Sequence, residues 1–235
     1  MNGLLIRVGA DLTPAGGSWN GPLDSQSGDF VYVPIVETAP VRRGLEKPFS
    51  ALTDRLAKFK VTLPAHLRGL NMHLDPDFQH LTYGDVNERA RQIRAHLGPD
   101  DFAVFYGALR DIRGLGLVYA IVGFFVVDKI ISAVDVPEAD WDTNAHSRRV
   151  LSPTSTDVVI VGKKEVSGRL ERCIPIGEYR NRAYRVREDI LSQWGGLSVK
   201  DGFLQRSGRL PRFLNPTRFL EWFQAQRSEL IQANN

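Results

Sequence analysis

Residues 71 to 85, NMHLDPDFQHLTYGD, concentrate side chains that could do chemistry. His73, Asp75 and Asp77 alternate along this segment, and alternate residues of an extended chain point the same way. An imidazole together with carboxylates could hold a divalent metal. The Asp75-Pro76 pair is equally typical of a structural turn in which the carboxylate accepts hydrogen bonds from backbone amides. Both interpretations stay open from the spacing alone.

The end of the same segment, TYGD, has a structural and a functional interpretation. Asp85 is followed three residues later by Glu88, just before a helical pattern, which predicts a capping box with Asp85 as the helix cap. Tyr83 has no place in that scheme, and a tyrosine beside a glycine could stack on a nucleic-acid base. Asp85 is also a candidate catalytic carboxylate.

A second polar region follows the first predicted strand, LLIRVGAD. Asp11 stands where this strand enters a glycine-rich loop, a position at which sheets commonly present chemistry. The loop lacks both the Walker lysine and the GxGxxG spacing, so it is not a phosphate-binding fingerprint. Trp19 and Asn20 could supply a stacking face and an amide for a base edge. The alternative is that Trp19 folds back over the core.

The stretch NAHSRR is a third candidate, because it combines Asn144, His146, Arg148 and Arg149. An imidazole titrates near neutral pH and a guanidinium grips phosphate with two hydrogen bonds, so this group could form an acid or base beside a phosphate clamp. A solvated basic loop explains the same residues without any function.

Charge along the chain is uneven. The 235 residues carry a net charge of +3, a mild excess that permits polyanion binding without requiring it. Many arginines lie in the last third, with aromatics between them, and could form a phosphate-facing surface or pair with nearby acidic residues. The arginines in question are Arg180, Arg182, Arg185, Arg187, Arg206, Arg209 and Arg212.

Composition also bears on class and location. With 43% hydrophobic and 24% charged residues the chain is globular rather than disordered. The one cysteine, Cys173, cannot form a disulfide within the chain, and the most apolar stretch, LGLVYAIVGFFVV, is too short for a membrane helix. We therefore expect a cytoplasmic protein with no membrane partner.

Apolar periodicity predicts helices near residues 49 to 60, 86 to 97 and 216 to 231, the last capped by Asn215. Segments rich in Val, Ile, Phe and Tyr predict strands between about residues 101 and 176, with few helices between them. The sequence thus predicts one α+β domain over residues 1 to 235, with a mostly antiparallel curved sheet or a small barrel and helices packed around it.

The order of these segments resembles a known family. GADLTPAGGSWNGP, FVYVPI, HLDPDF, TYGD, DDFAVFYGAL and NAHSRR follow one another as in the third type of nucleotide modification associated domain, known from bacterial and phage gene neighbourhoods concerned with altered DNA bases. The resemblance covers most of the chain. Residues 101 to 176 are also similar to PUA-like barrels of the EVE and ASCH kind, which implies a base pocket walled by Tyr106.

These observations support two hypotheses. The first is an enzyme that transforms a base or nucleotide, by acid-base or metal-assisted chemistry, in a cleft formed by Asp11, His73, Asp75, Asp85 and His146. The second is a non-catalytic module that binds a nucleotide or nucleic acid, with DNA favoured. Predicted ligand contacts in either case are Trp19, Asn20, Tyr83, Tyr106, Asn144, Arg148 and Arg149. Convergence of several polar side chains on one point would favour the enzyme.

Overall fold

The computed structural model describes residues 1–114, 116–205 and 208–235. The strands of these ranges are β1 Gly3–Arg7, β2 Pro22–Leu23, β3 Ile35–Val36, β4 Met72–His73, β5 Thr82–Asp85, β6 Phe102–Asp111, β7 Leu117–Ser132, β8 Val158–Gly162, β9 Gly168–Pro175, β10 Gly177–Arg180, β11 Ala183–Val186 and β12 Leu230–Ile231. The α-helices are α1 Thr53–Lys58, α2 Asn87–His96, α3 Ala145–Arg148, α4 Glu188–Trp194 and α5 Pro216–Ala225.

One eight-stranded sheet organises the molecule. Its main path runs β1, β6, β7, β8, β5, while β2 pairs with β6 and β9 joins β7 to β12. The pairings of β6 with β1 and with β2 are parallel, and the others in this sheet are antiparallel. The long strand β7 contacts β6 and β9 along its first part and β8 along its last part. It therefore links the centre of the sheet to β5, which carries site residues.

Both faces of the sheet are buried, because successive residues of its central strands alternate between two apolar clusters. In β6, Ala103 and Phe105 face the cluster that includes α2, whereas Val104 and Tyr106 face the cluster formed with α4 and α5. Strands covered on both sides read as continuous apolar runs. This explains why DDFAVFYGAL shows no alternation of polar and apolar residues.

A third apolar cluster lies under the first part of the chain. Val31 and Val33 pack there with Phe49, Leu52 and Leu56 from the segment that contains α1. Met72 of β4 also belongs to this cluster, so the layer packs against the strand that carries His73.

The α+β class predicted from the sequence is confirmed, but the sheet is not closed into a barrel. Helix α2 matches the prediction for 86 to 97, and a 3₁₀ turn at Phe49–Leu52 followed by α1 matches that for 49 to 60. Asn215 caps α5 as expected, with its side chain accepting from the amide of Arg218. The prediction of a helix to residue 231 is wrong, because α5 ends at Ala225 and Leu230–Ile231 pair with β9 as β12.

No helix in the described ranges is both long enough and apolar enough to cross a bilayer.

Candidate functional site

Three side chains predicted from the sequence meet at one point. His73, Asp75 and His146 each offer a ligand atom, and these atoms lie within 4.8 Å of one another. Nε2 of His73 is 3.9 Å and Nε2 of His146 is 3.7 Å from Oδ2 of Asp75. The two imidazole rings contact each other edge to face, with centroids 4.9 Å apart. We call these three residues the His-Asp-His cluster, and all of them are buried.

Backbone structure places Asp75 in this cluster. His73 belongs to β4, where it pairs with Ile35, and the chain then turns through a cis Asp75-Pro76 bond. The carboxylate of Asp75 accepts from the amide of Gly84 in β5 at 2.9 and 3.0 Å and from Nδ2 of Asn144 at 3.0 Å. Oδ1 is held by Gly84 and Asn144, whereas Oδ2, which the Gly84 amide also contacts, faces the two imidazoles.

His146 is positioned by a capped turn and by a glycine. Asn144 caps the short helix α3 by accepting from the amide of His146 at 2.8 Å, so its side chain ties α3 to Asp75. The His146 ring lies against Gly84, where a Cβ would be 2.2 Å from Cδ2 of His146. Only a residue without a side chain permits this approach. Gly84 is therefore part of the site.

A second carboxylate contacts each imidazole at Nδ1, the ring nitrogen that does not face Asp75. Nδ1 of His73 contacts Oε2 of Glu37 at 2.7 Å, and Nδ1 of His146 contacts Oδ2 of Asp157 at 2.5 Å. A carboxylate accepts hydrogen bonds, so each ring donates from Nδ1 and directs its other nitrogen, Nε2, at Asp75. Arg149 also lies 3.1 Å from Nδ1 of His73, but it binds both oxygens of Glu37 and fits as a partner of that carboxylate.

Burial shifts the ionisation of the cluster. Burial lowers the pKa of His73 to about 4, although the bond to Glu37 acts in the opposite direction. Burial also raises the pKa of Asp75 to about 7, against the opposing effects of His146, Gly84 and Asn144. For Glu37 burial alone would raise the pKa, but hydrogen bonds from His73 and Arg149 lower it to about 2. His73 is thus a neutral imidazole at neutral pH.

The cluster opens into a cleft of about 190 Å³ at the end of β1. Besides the cluster, this cleft is lined by Arg7, Tyr83, Asp85, Arg89 and Arg149. Such a volume suits one planar ring better than a large ligand, since small-molecule pockets usually start near 300 Å³. The cleft combines carboxylates, imidazoles and guanidinium groups on one wall.

Asp85 lines this cleft instead of capping α2. The residue before α2 is Val86, and no side chain caps the helix there. The carboxylate of Asp85 accepts from the hydroxyl of Tyr83 at 2.5 Å and pairs with Nε of Arg89 at 3.0 Å. The capping prediction is wrong because Asp85 is still part of β5, paired with Val158, which turns its side chain toward Tyr83 and Arg89.

Besides Asn144, which binds Asp75 but does not line the cleft, five predicted residues lie outside the cleft lining. Asp11 accepts from Thr13 at 2.9 Å and pairs at 3.2 Å with Arg7, which itself lines the cleft. Trp19 packs on the third apolar cluster and Asn20 donates to the carbonyl of Ala108. Tyr106 is buried on the far face, where its hydroxyl donates to Leu204. Arg148, the fifth, belongs to another polar group.

That second group surrounds Asp77, and we call it the Asp77 cluster. Oδ2 of Asp77 lies 2.5 Å from Nη2 of Arg148 and 3.1 Å from Nδ1 of His80, while Oδ1 accepts from Nδ2 of Asn234 at 3.1 Å. Arg148 also pairs with Asp142 at 3.0 Å. Burial alone would raise the pKa of Asp77, but His80 and Arg148 outweigh burial and lower it. This cluster is a closed ion-pair network.

The arginines of the last third are largely occupied by acidic neighbours. Arg180 pairs with Asp201 at 2.6 Å, Arg185 with the same carboxylate at 3.5 Å, and Arg187 with Asp189 at 2.6 Å. Arg206 lies outside the described residues. The phosphate-facing surface stays a prediction, but local ion pairs account for three of its members.

Sequence reasoning missed four residues of the site. Glu37 and Asp157 hold the imidazoles, and Arg7 and Arg89 line the cleft. Glu37 and Asp157 each end or begin a strand-like stretch, but nothing in a single sequence links them to a histidine. Arg7 carried one signal, since it is a charged residue inside the apolar run LLIRVGAD.

Comparison with known proteins gives one match. A family model described as nucleotide modification associated domain 3 matches residues 2–212. No curated protein matches the chain. No solved structure matches it either.

Proposed function

Because the chain belongs to the nucleotide modification associated domain 3 family, we propose that it is an enzyme that modifies or processes a base of a nucleotide or of DNA in the cleft beside the His-Asp-His cluster. Membership by itself associates the chain with nucleotide modification. The step to an enzyme acting at this cleft is carried by one observation. Two imidazoles, each held through Nδ1 by a carboxylate, direct Nε2 at one buried carboxylate.

This arrangement favours catalysis over binding alone. A binding module needs an aromatic pocket with one or two hydrogen-bonding groups, whereas an enzyme needs several positioned polar groups at one point. Tyr106, the expected pocket wall, is buried on the other face of the sheet. The cleft instead gathers His73, Asp75 and His146 with Asp85 nearby. Imidazole and carboxylate groups held this way can bind, orient and move a proton on a reacting base.

The arginines that line the cleft suit an anionic substrate. Among the residues that the structure describes, Arg7 pairs with Asp11 at 3.2 Å, and its Nε is buried without a hydrogen-bond partner. A guanidinium with donors to spare can accept a phosphate with two hydrogen bonds. Arg89 pairs with Asp85 and also donates to the Tyr83 hydroxyl, and Arg149 binds both oxygens of Glu37, so both use more of their donors than Arg7. Arg7 is therefore the residue proposed to hold a phosphate of the substrate.

The test compares nucleosides from cells that express the wild-type protein with those from cells that express Asp75→Asn. Host cells supply small-molecule cosubstrates, and mass spectrometry of digested DNA, RNA and free nucleotides detects any altered base. We expect a nucleoside that changes in abundance only with the wild-type protein. Arg113→Gln is the control, since Arg113 pairs with Asp24 on the surface.

Arg7→Gln tests the phosphate contact separately. We expect weaker binding of deoxynucleoside monophosphates by at least tenfold, measured by calorimetry, because one bidentate charged contact is lost. Identical nucleoside profiles for wild type and Asp75→Asn, together with tight nucleotide binding by both, would replace the enzyme with a binding module. Identical profiles without any binding would overturn the proposal.

A further inference from the structure

We propose that His73, Asp75 and His146 bind one divalent transition-metal ion, with Nε2 of each histidine and Oδ2 of Asp75 as its ligands. The proposal deepens the proposed function by naming a cofactor for the same cleft, and it rests on that function only for what the metal would do there. The binding site itself is argued from geometry. Its test needs no substrate.

The donor atoms of the three residues point toward one another. Oδ2 of Asp75 lies 3.7 and 3.9 Å from the two Nε2 atoms, which is too far for a hydrogen bond. Two ligands of one ion, each bonded at 2.0 to 2.1 Å, are about 3.0 to 3.4 Å apart. Oδ2 therefore needs to approach each Nε2 by less than about 1 Å to share an ion. The widest pair of donor atoms in the set, at most 4.8 Å apart, would have to close by up to about 1.4 to 1.8 Å.

Each imidazole is also bound through Nδ1 by a second carboxylate. Histidines that bind metals almost always donate their other ring N–H to a carboxylate, a carbonyl or water, which fixes the tautomer and the ring orientation. Glu37 does this for His73 and Asp157 does it for His146. Side chains of both carboxylates are at most 6% exposed. One such pair has structural explanations, but two pairs converging on a third carboxylate form a built ligand set.

The surroundings of the two imidazoles also carry an excess of negative charge. Three carboxylates whose side chains are at most 6% exposed, those of Glu37, Asp75 and Asp157, surround the two imidazoles, and Arg149 pairs with two of them. Buried charges need compensation. A dication between the Nε2 atoms and Oδ2 would compensate the excess negative charge where it is greatest. The Asp77 cluster achieves the same compensation with Arg148.

The donor set limits the metal. Two imidazole nitrogens and one carboxylate oxygen suit Zn²⁺, Fe²⁺, Co²⁺ or Mn²⁺, whereas Ca²⁺ and Mg²⁺ prefer oxygen alone and Cu⁺ prefers sulfur. Three protein ligands leave coordination positions for water or substrate. These open positions face the cleft lined by Arg7, Asp85 and Arg89. A substrate bound at Arg7 would thus meet the ion directly.

The experiment titrates chelator-treated full-length protein with Co²⁺ alone, followed by its visible absorption and by calorimetry. Wild type is expected to bind one Co²⁺ per chain. His73→Ala, His146→Ala and Asp75→Asn are expected to lose at least a hundredfold in affinity. Glu37→Gln and Asp157→Asn, which keep all three ligands, are expected to lose 10- to 100-fold.

His80→Ala is the matched control, because His80 also pairs with a buried carboxylate but lies outside the cluster. Its affinity should equal that of wild type. Circular dichroism confirms that each variant is folded, and the isosteric Asp75→Asn carries the test if an alanine variant is not. Failure of wild type to bind Co²⁺ at millimolar concentration, or equal affinity in Asp75→Asn, would overturn the metal site. Nucleoside changes that persist in that case would leave the proposed function intact.

Discussion

Asp75 and Asp77 are two residues apart in the same segment, yet their carboxylates have different partners and opposite pKa shifts. Asp77 is enclosed by Arg148, His80 and Asn234, and its pKa is lowered. Asp75 faces two imidazoles across an open cleft, and burial raises its pKa to about 7. Within the part of the chain that the structure describes, no guanidinium pairs with Asp75.

If the proposed function is right, the difference separates a structural carboxylate from a functional one. Removing one partner of a buried ion pair is costly, because it leaves the other charge without compensation. A buried carboxylate without a cation costs stability, and such costs concentrate at functional sites. The same residue type, nearly equal burial and the same sequence motif therefore lead to different roles. What distinguishes the roles is the partner that the rest of the chain supplies.

The largest expected effect is on the free energy of unfolding. Asp77→Asn should destabilise the protein by about 3 kcal/mol, because it leaves Arg148 buried beside a neutral group. Asp75→Asn should stay within about 1 kcal/mol of wild type, since the amide oxygen can keep the bonds from Gly84 and Asn144 while its NH₂ faces the imidazoles. Urea denaturation measures both. Equal losses would mean that both carboxylates are structural.

A smaller effect is expected from Gly84→Ala. The added methyl would meet Cδ2 of His146 at 2.2 Å, so the ring must move away from Asp75. We expect a loss of about 1 to 3 kcal/mol from overpacking and at least a tenfold weaker affinity for Co²⁺. Gly98→Ala is the control, because nothing lies within 4 Å of its Cβ position. Unchanged Co²⁺ affinity in Gly84→Ala would show that His146 need not stay in place.

The smallest effect concerns pH and the Asp77 cluster. The hydrogen bond that His80 donates to Asp77 raises the pKa of His80 above its ordinary value of 6.5. A raised pKa in the folded state means that the charged imidazole stabilises the protein at low pH, and that this contribution is lost as pH rises through the folded-state pKa. The stability difference between wild type and His80→Gln should therefore shrink as pH rises from below 6.5 into the alkaline range. Thermal melts across that range measure it, and a difference that grows with pH would contradict the assignment.

The sequence identified much of the site but not its arrangement. His73, Asp75 and His146 stood out by residue type, and the structure brings them together from segments about 70 residues apart. Glu37 and Asp157 could not be found, because their role depends on a contact made only in the folded chain. Asp11 stood out equally, but its carboxylate is used by Thr13 and Arg7. Residue type indicates what chemistry is available, and the tertiary fold decides whether it is used.

The sequence predicted the parts of the fold that depend on local signals and missed those that depend on long-range pairing. Local signals such as the Asn215 cap and the apolar periodicity of α2 were sufficient for those helices. The sheet is mostly antiparallel, as predicted, but the strand partners, among them the parallel pair of β1 and β6, were not predictable. The end of α5 was missed because Leu230 and Ile231 fit a helical period but bind to β9 instead. Long-range pairing overrides local preference at each of these points.

The proposed function and the metal site both depend on the His-Asp-His cluster around Asp75. The most direct measurement is a crystal structure of the Co²⁺-treated protein, with anomalous scattering data collected at the cobalt edge. The account predicts one strong anomalous peak about 2.0 to 2.2 Å from Nε2 of His73, Nε2 of His146 and Oδ2 of Asp75. A map with no peak at these three atoms, or with its main peak at another histidine, would contradict the account.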